Sequence, residues 1–160
     1  MAKIEGTLSF RKQFLWCHVT PMTRLYDKPL LRWYLLFIAA FYAYGAAVHV
    51  ANMASLTGFD WLAAPRLWQA LDVVYLVLDV AVVVGLLLRH ASGLYAFIVA
   101  ATSQIILYTV FRDDVAMLGT SHALEPEQMA YLSTLVMFHI VTLVALALLA
   151  VFAPARQLDA

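Results

Sequence analysis

The sequence is poor in charged residues and has one cysteine. Only 12% of its 160 residues are charged, whereas about a quarter are charged in a typical soluble domain. So little charge cannot solvate a chain that is 64% hydrophobic, which argues against a soluble enzyme, a nucleic-acid-binding protein and a disordered chain. The lone Cys17 excludes an internal disulfide, a CxxC redox pair and a cysteine-based zinc site. The net charge of zero gives no reason to expect an acidic partner.

The sequence contains long runs of apolar residues. A helix needs about 20 mostly apolar residues to cross the hydrocarbon core of a bilayer. Four stretches meet this length, and we predict spans over residues 31–53, 67–88, 92–111 and 127–152. Pro126 and Glu127 suit the first turn of the fourth helix. Because the runs lack the strict alternation of barrel strands, the sequence predicts an all-α membrane protein, a bundle of four transmembrane helices.

The distribution of lysine and arginine predicts the orientation of these spans. With four spans both termini lie on one side, and eight of the ten basic residues share it. These eight are Lys3, Arg11, Lys12, Arg24, Lys28, Arg32, Arg89 and Arg156; the other two are Arg66 and Arg112. The positive-inside rule therefore predicts that both termini are cytoplasmic. Because no cleavable signal peptide is recognised and the loops are short, we expect a multi-pass protein of a bacterial inner membrane.

The sequence divides into three parts. Residues 1–30 form a cytoplasmic segment, residues 31–153 the four-helix transmembrane domain, and residues 154–160 a cytoplasmic tail. Within the first part, Leu8 to Val19 mixes aromatic with basic side chains. This pattern predicts either an amphipathic helix lying on the membrane surface or an irregular tail held near anionic lipid.

Polar side chains inside the membrane lie in one half of it. They follow single helix faces at spacings of three and four residues, and every span contributes to the half predicted to be external. The residues are Tyr42, His49 and Asn52 on span one, Asp72, Tyr75 and Asp79 on span two, Gln104 and Tyr108 on span three, and His139 on span four. The asymmetry predicts a polar intramembrane pocket that opens outward.

Asp79 is the most informative of these residues. A carboxylate at the bilayer centre costs about 2.5 to 3.5 kcal/mol on insertion scales, so it should face the bundle interior and be either paired or protonated. His49 and His139 are its expected partners. Asp72 lies nearer the interface, where solvation or a helix N-terminus accounts for it. For Gln104, Tyr75 and Asn52 the alternative is a structural role. Each would form an interhelical hydrogen bond that stabilises the bundle by about 0.6 kcal/mol.

The layout resembles two families of small four-helix membrane proteins. Span two carries an acidic residue, and an acidic turn, Phe111-Arg112-Asp113-Asp114, follows span three. In its four-helix layout the chain resembles the DoxX-like group and the sterol-isomerase-like (EXPERA) group, and in these two acidic features it is similar to the latter. The resemblance implies a four-helix architecture and assigns no residue a role, and span one has no acidic residue.

The leading hypothesis is an accessory subunit or a protein that binds a small molecule or lipid. Its polar pocket would contain His49, Asp79, Gln104, Tyr108 and His139, with Tyr75 and Asn52 beside it, and would bind a ligand or relay protons. No metal or cofactor is predicted. The expected partners are membrane lipid, other membrane subunits or a lipid-like small molecule, and no nucleic acid.

Three alternatives stay open. The first is an electron-transfer subunit that binds haem b through His49 and His139, because imidazole is a standard axial donor. The second is an intramembrane isomerase or hydrolase that uses Asp79 and a histidine as acid and base. The third is a structural or assembly partner whose polar residues only hold helices together.

Overall fold

Four long helices make up most of the structure, a computed structural model that describes residues 26–57, 60–116 and 126–152. They are α1 (Pro29–Met53), α2 (Arg66–Leu87), α3 (Ala91–Thr109) and α5 (Pro126–Phe152), and a short helix, α4 (Arg112–Ala116), precedes the last. Each long helix has the length and apolar composition needed to cross a membrane. The chain is a multi-pass membrane protein with a four-helix bundle, which confirms the predicted fold class.

The predicted spans agree with the long helices to within two residues at each end. Pro29 and Pro126 occupy the first positions of α1 and α5, where the missing N–H of proline leaves no donor unpaired. The short helix α4, which begins in the acidic turn, was not predicted. The segment from Leu8 to Val19 and the tail 154–160 lie outside the described residues.

The helices are arranged so that sequence neighbours pack together. Helix α2 lies against α1 and α3, α3 packs against α5, and α5 returns to α1 to close the bundle. Large apolar side chains on the outside of all four helices are exposed, among them Trp33, Val77, Val99 and Val151. This apolar perimeter is the surface that a bilayer covers.

Helices α2 and α3 approach each other most closely at two glycines. A Cβ atom built on Gly93 would overlap the backbone of Gly85 and Leu86, and one built on Gly85 would overlap Gly93. The turn between the helices includes Arg89 in the left-handed region at φ 55°. The contact belongs to the small-residue class of membrane helix packing.

The interior has an apolar half and a polar half. The apolar half lies where α1 and α3 begin and α2 ends, and is filled by Leu31, Leu35, Ile38, Val82, Leu86 and Phe97. The polar half lies where α1 ends and α2 begins, and its buried side chains include Asp72, Asp79 and Gln104, with His139 at the boundary. The structure thus agrees with the predicted asymmetry of polar residues.

Candidate functional site

The polar half centres on one histidine held between two aspartates. His49 of α1 places Nδ1 2.7 Å from Oδ1 of Asp72, and its Nε2 lies 3.9 Å from Oδ2 of Asp79. Both aspartates are on α2 and both are buried. We call His49, Asp72 and Asp79 the Asp–His–Asp cluster.

Helix geometry explains why one imidazole meets two carboxylates. Asp72 and Asp79 are seven residues apart, which is about two turns and about 10 Å along the helix axis. They therefore share the face of α2 that packs against α1. Because α1 and α2 are consecutive and run in opposite directions, His49 near the end of α1 faces the first half of α2. The ring then lies between one carboxylate on the bundle-end side and one on the interior side.

A glycine on α1 makes room for the deeper carboxylate. A Cβ atom built on Gly45 would lie 2.5 Å from Oδ2 of Asp79, which no real side chain tolerates. Gly45 is one turn before His49 on the same face of α1. Any larger residue there would displace the carboxylate from its place beside the histidine.

A line of hydrogen bonds connects the cluster with the exposed end of the bundle. The Nδ2 atom of Asn52 donates to Oδ1 of Asp72 at 3.5 Å. The Oγ1 atom of Thr57, in the exposed loop after α1, donates to Oδ1 of Asn52 at 2.8 Å. Asn52, predicted as a site residue, therefore extends the Asp–His–Asp cluster toward the aqueous phase.

Tyr75 forms one wall of the cluster. Its ring stacks on the His49 imidazole, with centroids 6.3 Å apart and planes inclined by 18°. Its hydroxyl donates to Oγ of Ser103 on α3 at 3.3 Å, and Ser103 in turn donates to the carbonyl of Ala100 at 2.9 Å. Tyr75 thus orients the imidazole ring by packing rather than by a hydrogen bond.

Among the described residues, the predicted residues of α3 and α5 form no hydrogen bond with either aspartate. His139 directs Nδ1 to the carbonyl of Leu135 at 2.7 Å, whereas its Nε2 has no hydrogen-bond partner among the described residues. Gln104 is buried and its Oε1 is likewise unpartnered. Tyr108 lies one turn beyond Gln104 and is half-buried. Leaving a buried polar atom unpaired costs about 1 to 3 kcal/mol of folding free energy. A bound molecule that formed hydrogen bonds with these atoms would remove that cost.

The expected pairing of Asp79 needs a partial correction. Nε2 of His49 lies 3.9 Å from Asp79, but the nearest carboxylate of His49 belongs to Asp72, at 2.7 Å. The expectation that solvation accounts for Asp72 was wrong, because only 8% of this residue is exposed. The available signal was depth along the helices. His49 and Asn52 lie near the end of α1 and Asp72 lies near the start of α2, so the three residues are at similar depths in the bundle.

The charge of the cluster depends on the number of protons that it holds. With both carboxylates ionised and the imidazole neutral, the cluster carries two negative charges. One further proton leaves one negative charge, and two leave none. Because several kcal/mol are needed to bury each uncompensated charge, the doubly negative state is strongly disfavoured. No lysine or arginine forms an ion pair with the cluster among the described residues.

The two histidines do not fit the requirements of axial haem ligands in this arrangement. Each ligand nitrogen needs an open face toward the iron, but both nitrogens of His49 face carboxylates at 2.7 and 3.9 Å. His139 is 1% exposed, and the rings of Phe41, Tyr42 and Phe138 lie around it with centroids 5.5 to 6.3 Å away.

Comparison with known proteins identifies no relative of this chain. No family model matches it, and neither a curated protein nor a solved structure does. The similarity to the DoxX-like and sterol-isomerase-like groups therefore rests on architecture. The described residues contain no group of three or more histidine, cysteine or acidic side chains arranged to hold a metal ion.

Proposed function

We propose that this protein binds and releases protons at the Asp–His–Asp cluster, and that this proton exchange is linked to its role as a small membrane subunit or binding protein. The observation that carries the proposal is the position of His49, in contact with Asp72 and within 4 Å of Asp79. A carboxylate–imidazole–carboxylate arrangement offers neighbouring positions between which a proton can move. Ionisable residues within membrane spans are rare because burying them costs free energy, and those that occur usually have a function beyond helix packing.

The two distances suggest which proton is exchangeable. The short contact between His49 and Asp72 is a charge-assisted hydrogen bond that keeps a hydrogen on Nδ1. The longer separation of 3.9 Å leaves Nε2 and Asp79 close enough to share a second proton after a small movement. We therefore assign the exchangeable proton to His49 and Asp79, with Asp72 as the group that orients the ring.

The surroundings favour proton access from one side. The Thr57–Asn52–Asp72 line leads from an exposed loop to the cluster. In the other direction the core is made of aliphatic and aromatic side chains. This contrast supports a binding site that opens toward one aqueous phase, and it does not favour a continuous channel. With the predicted orientation, the open side is external.

The proposal includes the setting in which the protein works. We propose a bacterial inner membrane, with bilayer lipid around the bundle and another membrane subunit or a lipid-like small molecule as the partner that senses the proton. The acid–base isomerase stays a prediction that uses the same His49–Asp79 pair. The haem alternative also stays a prediction, with less support because both nitrogens of His49 face carboxylates.

The direct test is infrared spectroscopy of the purified protein in lipid nanodiscs, titrated from about pH 4 to about pH 9, a range that covers ordinary carboxyl and imidazole protonation. The protonated carboxyl group has its own C=O band, and we expect a band that appears and disappears within this range. Asp79→Asn should remove it, and His49→Gln should shift the pH at which it changes.

The matched control is Asp60→Asn. Asp60 is an exposed carboxylate on the same end of the bundle, where it accepts a hydrogen bond from the N–H of Ala63 at 3.2 Å. This variant should leave the titrating band in place. If the band is the same in wild type and in Asp79→Asn, the cluster does not exchange the proton and the proposal fails.

A further inference from the structure

Three buried polar atoms in the interior of the bundle have no hydrogen-bond partner among the described residues. They are the hydroxyl oxygen of Tyr42, Oε1 of Gln104 and Nε2 of His139, from three different helices. Their residues are only 2%, 7% and 1% exposed, respectively. None of the three can be solvated from outside the bundle in this arrangement.

The position of Tyr42 links these atoms to Asp79. His49, Gly45 and Tyr42 follow one face of α1 at spacings of four and three residues. Because Asp79 fills the space beside Gly45, Tyr42 lies about 4.5 Å farther along the helix axis from that carboxylate, toward the apolar half. Tyr42 in turn meets His139 edge to face, with ring centroids 6.1 Å apart.

Gln104 of α3 contributes the third unpartnered atom. Its neighbour Ser103 accepts the hydroxyl of Tyr75, which is one turn from Asp79 on α2. On the side of the apolar half the space is closed by Phe97, whose ring lies 5.7 Å from that of Tyr42. Tyr42 therefore lies between Asp79 and the ring of Phe97, with the ring of His139 beside it.

The hydrogen-bonding character of these atoms specifies what would satisfy them. A carbonyl only accepts, so Nδ1 of His139 must carry the hydrogen in its bond to Leu135. In the neutral ring Nε2 is then an acceptor, and Oε1 of Gln104 is also an acceptor. The tyrosine hydroxyl can donate one hydrogen bond and accept others. Two acceptors and one hydroxyl require additional donors, and buried water is the usual source of such donors in proteins.

We propose that Tyr42, Gln104 and His139 bind buried water beside Asp79, and that this water makes His139 the inner proton acceptor of the site. The inference rests on the proposed proton exchange at Asp79. In the step, the carboxyl group of Asp79 gives its proton to the water, and the water gives one of its own protons to Nε2 of His139. The products are an aspartate and an imidazolium, and the water molecule is regenerated.

Other titratable groups on the interior faces contribute to the field at His139. They are Tyr34, Tyr42 and His49 on α1, Asp72, Tyr75 and Asp79 on α2, and Tyr108 on α3. The tyrosines remain neutral near neutral pH, so the aspartates and His49 set the electrostatic balance. An ionised Asp79 stabilises the imidazolium that it forms, and a proton on His49 opposes it.

The first measurement tests the water and needs no variant. Hydroxyl-radical footprinting with X-ray pulses modifies buried side chains that lie next to bound water. We expect Tyr42 to be modified despite its burial, at a rate at least several times that of Tyr26, a buried tyrosine whose hydroxyl donates to the carbonyl of Leu86 in the apolar half. A rate for Tyr42 as low as that of Tyr26 would show that no water is bound there and would overturn the inference.

The second measurement follows the proton by nitrogen NMR of labelled histidine, with His139→Gln to assign the signal. At a fixed pH inside the Asp79 titration we expect part of the protein to carry a proton on Nε2 of His139 together with an ionised Asp79, and Asp79→Asn should remove this protonated fraction. Tyr42→Phe should also remove it and leave the carboxyl band of Asp79 titrating. A His139 that stays neutral while Asp79 titrates would overturn the inference alone, whereas an Asp79 that does not titrate would overturn the proposed function as well.

Discussion

Gly45 on α1 and Asp79 on α2 fit together so closely that the carboxylate occupies the space of a side chain. Oδ2 of Asp79 lies 2.5 Å from the position that a Cβ atom of residue 45 would take, and the same oxygen is the one that faces Nε2 of His49. The distance between the imidazole and the deeper carboxylate is therefore set by helix packing. A residue without any titratable group controls the geometry of the proton site.

Adding one methyl group at this contact should disturb the site without removing a charge. In Gly45→Ala the Cβ atom collides with Oδ2 of Asp79, so the carboxylate must turn away from His49. We expect the titrating carboxyl band of Asp79 to shift or broaden in the infrared spectrum, with only a small loss of stability because the carboxylate, unlike backbone, can turn away. Ala47→Val, on an exposed part of α1, is the control. An unchanged band in Gly45→Ala would contradict the geometric role of the glycine.

The hydrogen bond between His49 and Asp72 should appear as coupling between the two residues. In a double-mutant cycle of His49→Gln and Asp72→Asn, we expect an interaction energy of about 0.5 to 3 kcal/mol in unfolding from mixed micelles, as for other residues in direct contact. The control cycle combines His49→Gln with Asp60→Asn, whose carboxylate is exposed and bonded within its own loop. Additive effects in the first cycle would mean that the contact at 2.7 Å contributes nothing to stability.

The glycine crossing of α2 and α3 should be the most sensitive packing contact of the hairpin. Gly93→Ala places a carbon against the backbone of Gly85 and Leu86, and backbone cannot rotate away as a side chain can. We expect a loss of about 2 kcal/mol or more of stability through overpacking. The comparison is Ala81→Val, which adds volume at an exposed position of α2. Equal thermal stability of the two variants would argue against a close helix crossing.

The orientation of the bundle can be tested with introduced cysteines in a Cys17→Ser background. The excess of lysine and arginine on one side predicts that the loop after α1 is external and that the turn between α2 and α3 is cytoplasmic. A cysteine at Leu56, which is 78% exposed, should react with an impermeant maleimide in intact cells. A cysteine at Leu88, which is 73% exposed, should react only after the cells are opened. The reverse pattern would move the Asp–His–Asp cluster to the cytoplasmic half.

The sequence by itself determined the number of long helices, their bounds to within two residues and the spacing of the polar residues along each helix. Transmembrane helices can be predicted from the sequence because each needs an apolar run long enough to cross the bilayer. The period of an α-helix then places Asp72, Tyr75 and Asp79 on one face. Depth along each span follows from the rise per residue, which is why the polar half was apparent before any contact was known.

Only the tertiary structure decided which side chains meet. Sequence periodicity fixes a face and a depth, but the partner across a helix interface depends on how each helix is rotated and how closely its backbone approaches the next. In the packed bundle Asp72 is buried and its carboxylate contacts His49. The imidazole of His139 bonds to the carbonyl of Leu135 in its own helix. The carboxylate of Asp79 fits into the space beside Gly45. Small residues such as Gly85 and Gly93 carry no charge or hydropathy signal of their importance. Their effect exists only where two backbones touch, and for that reason it appears with the folded bundle.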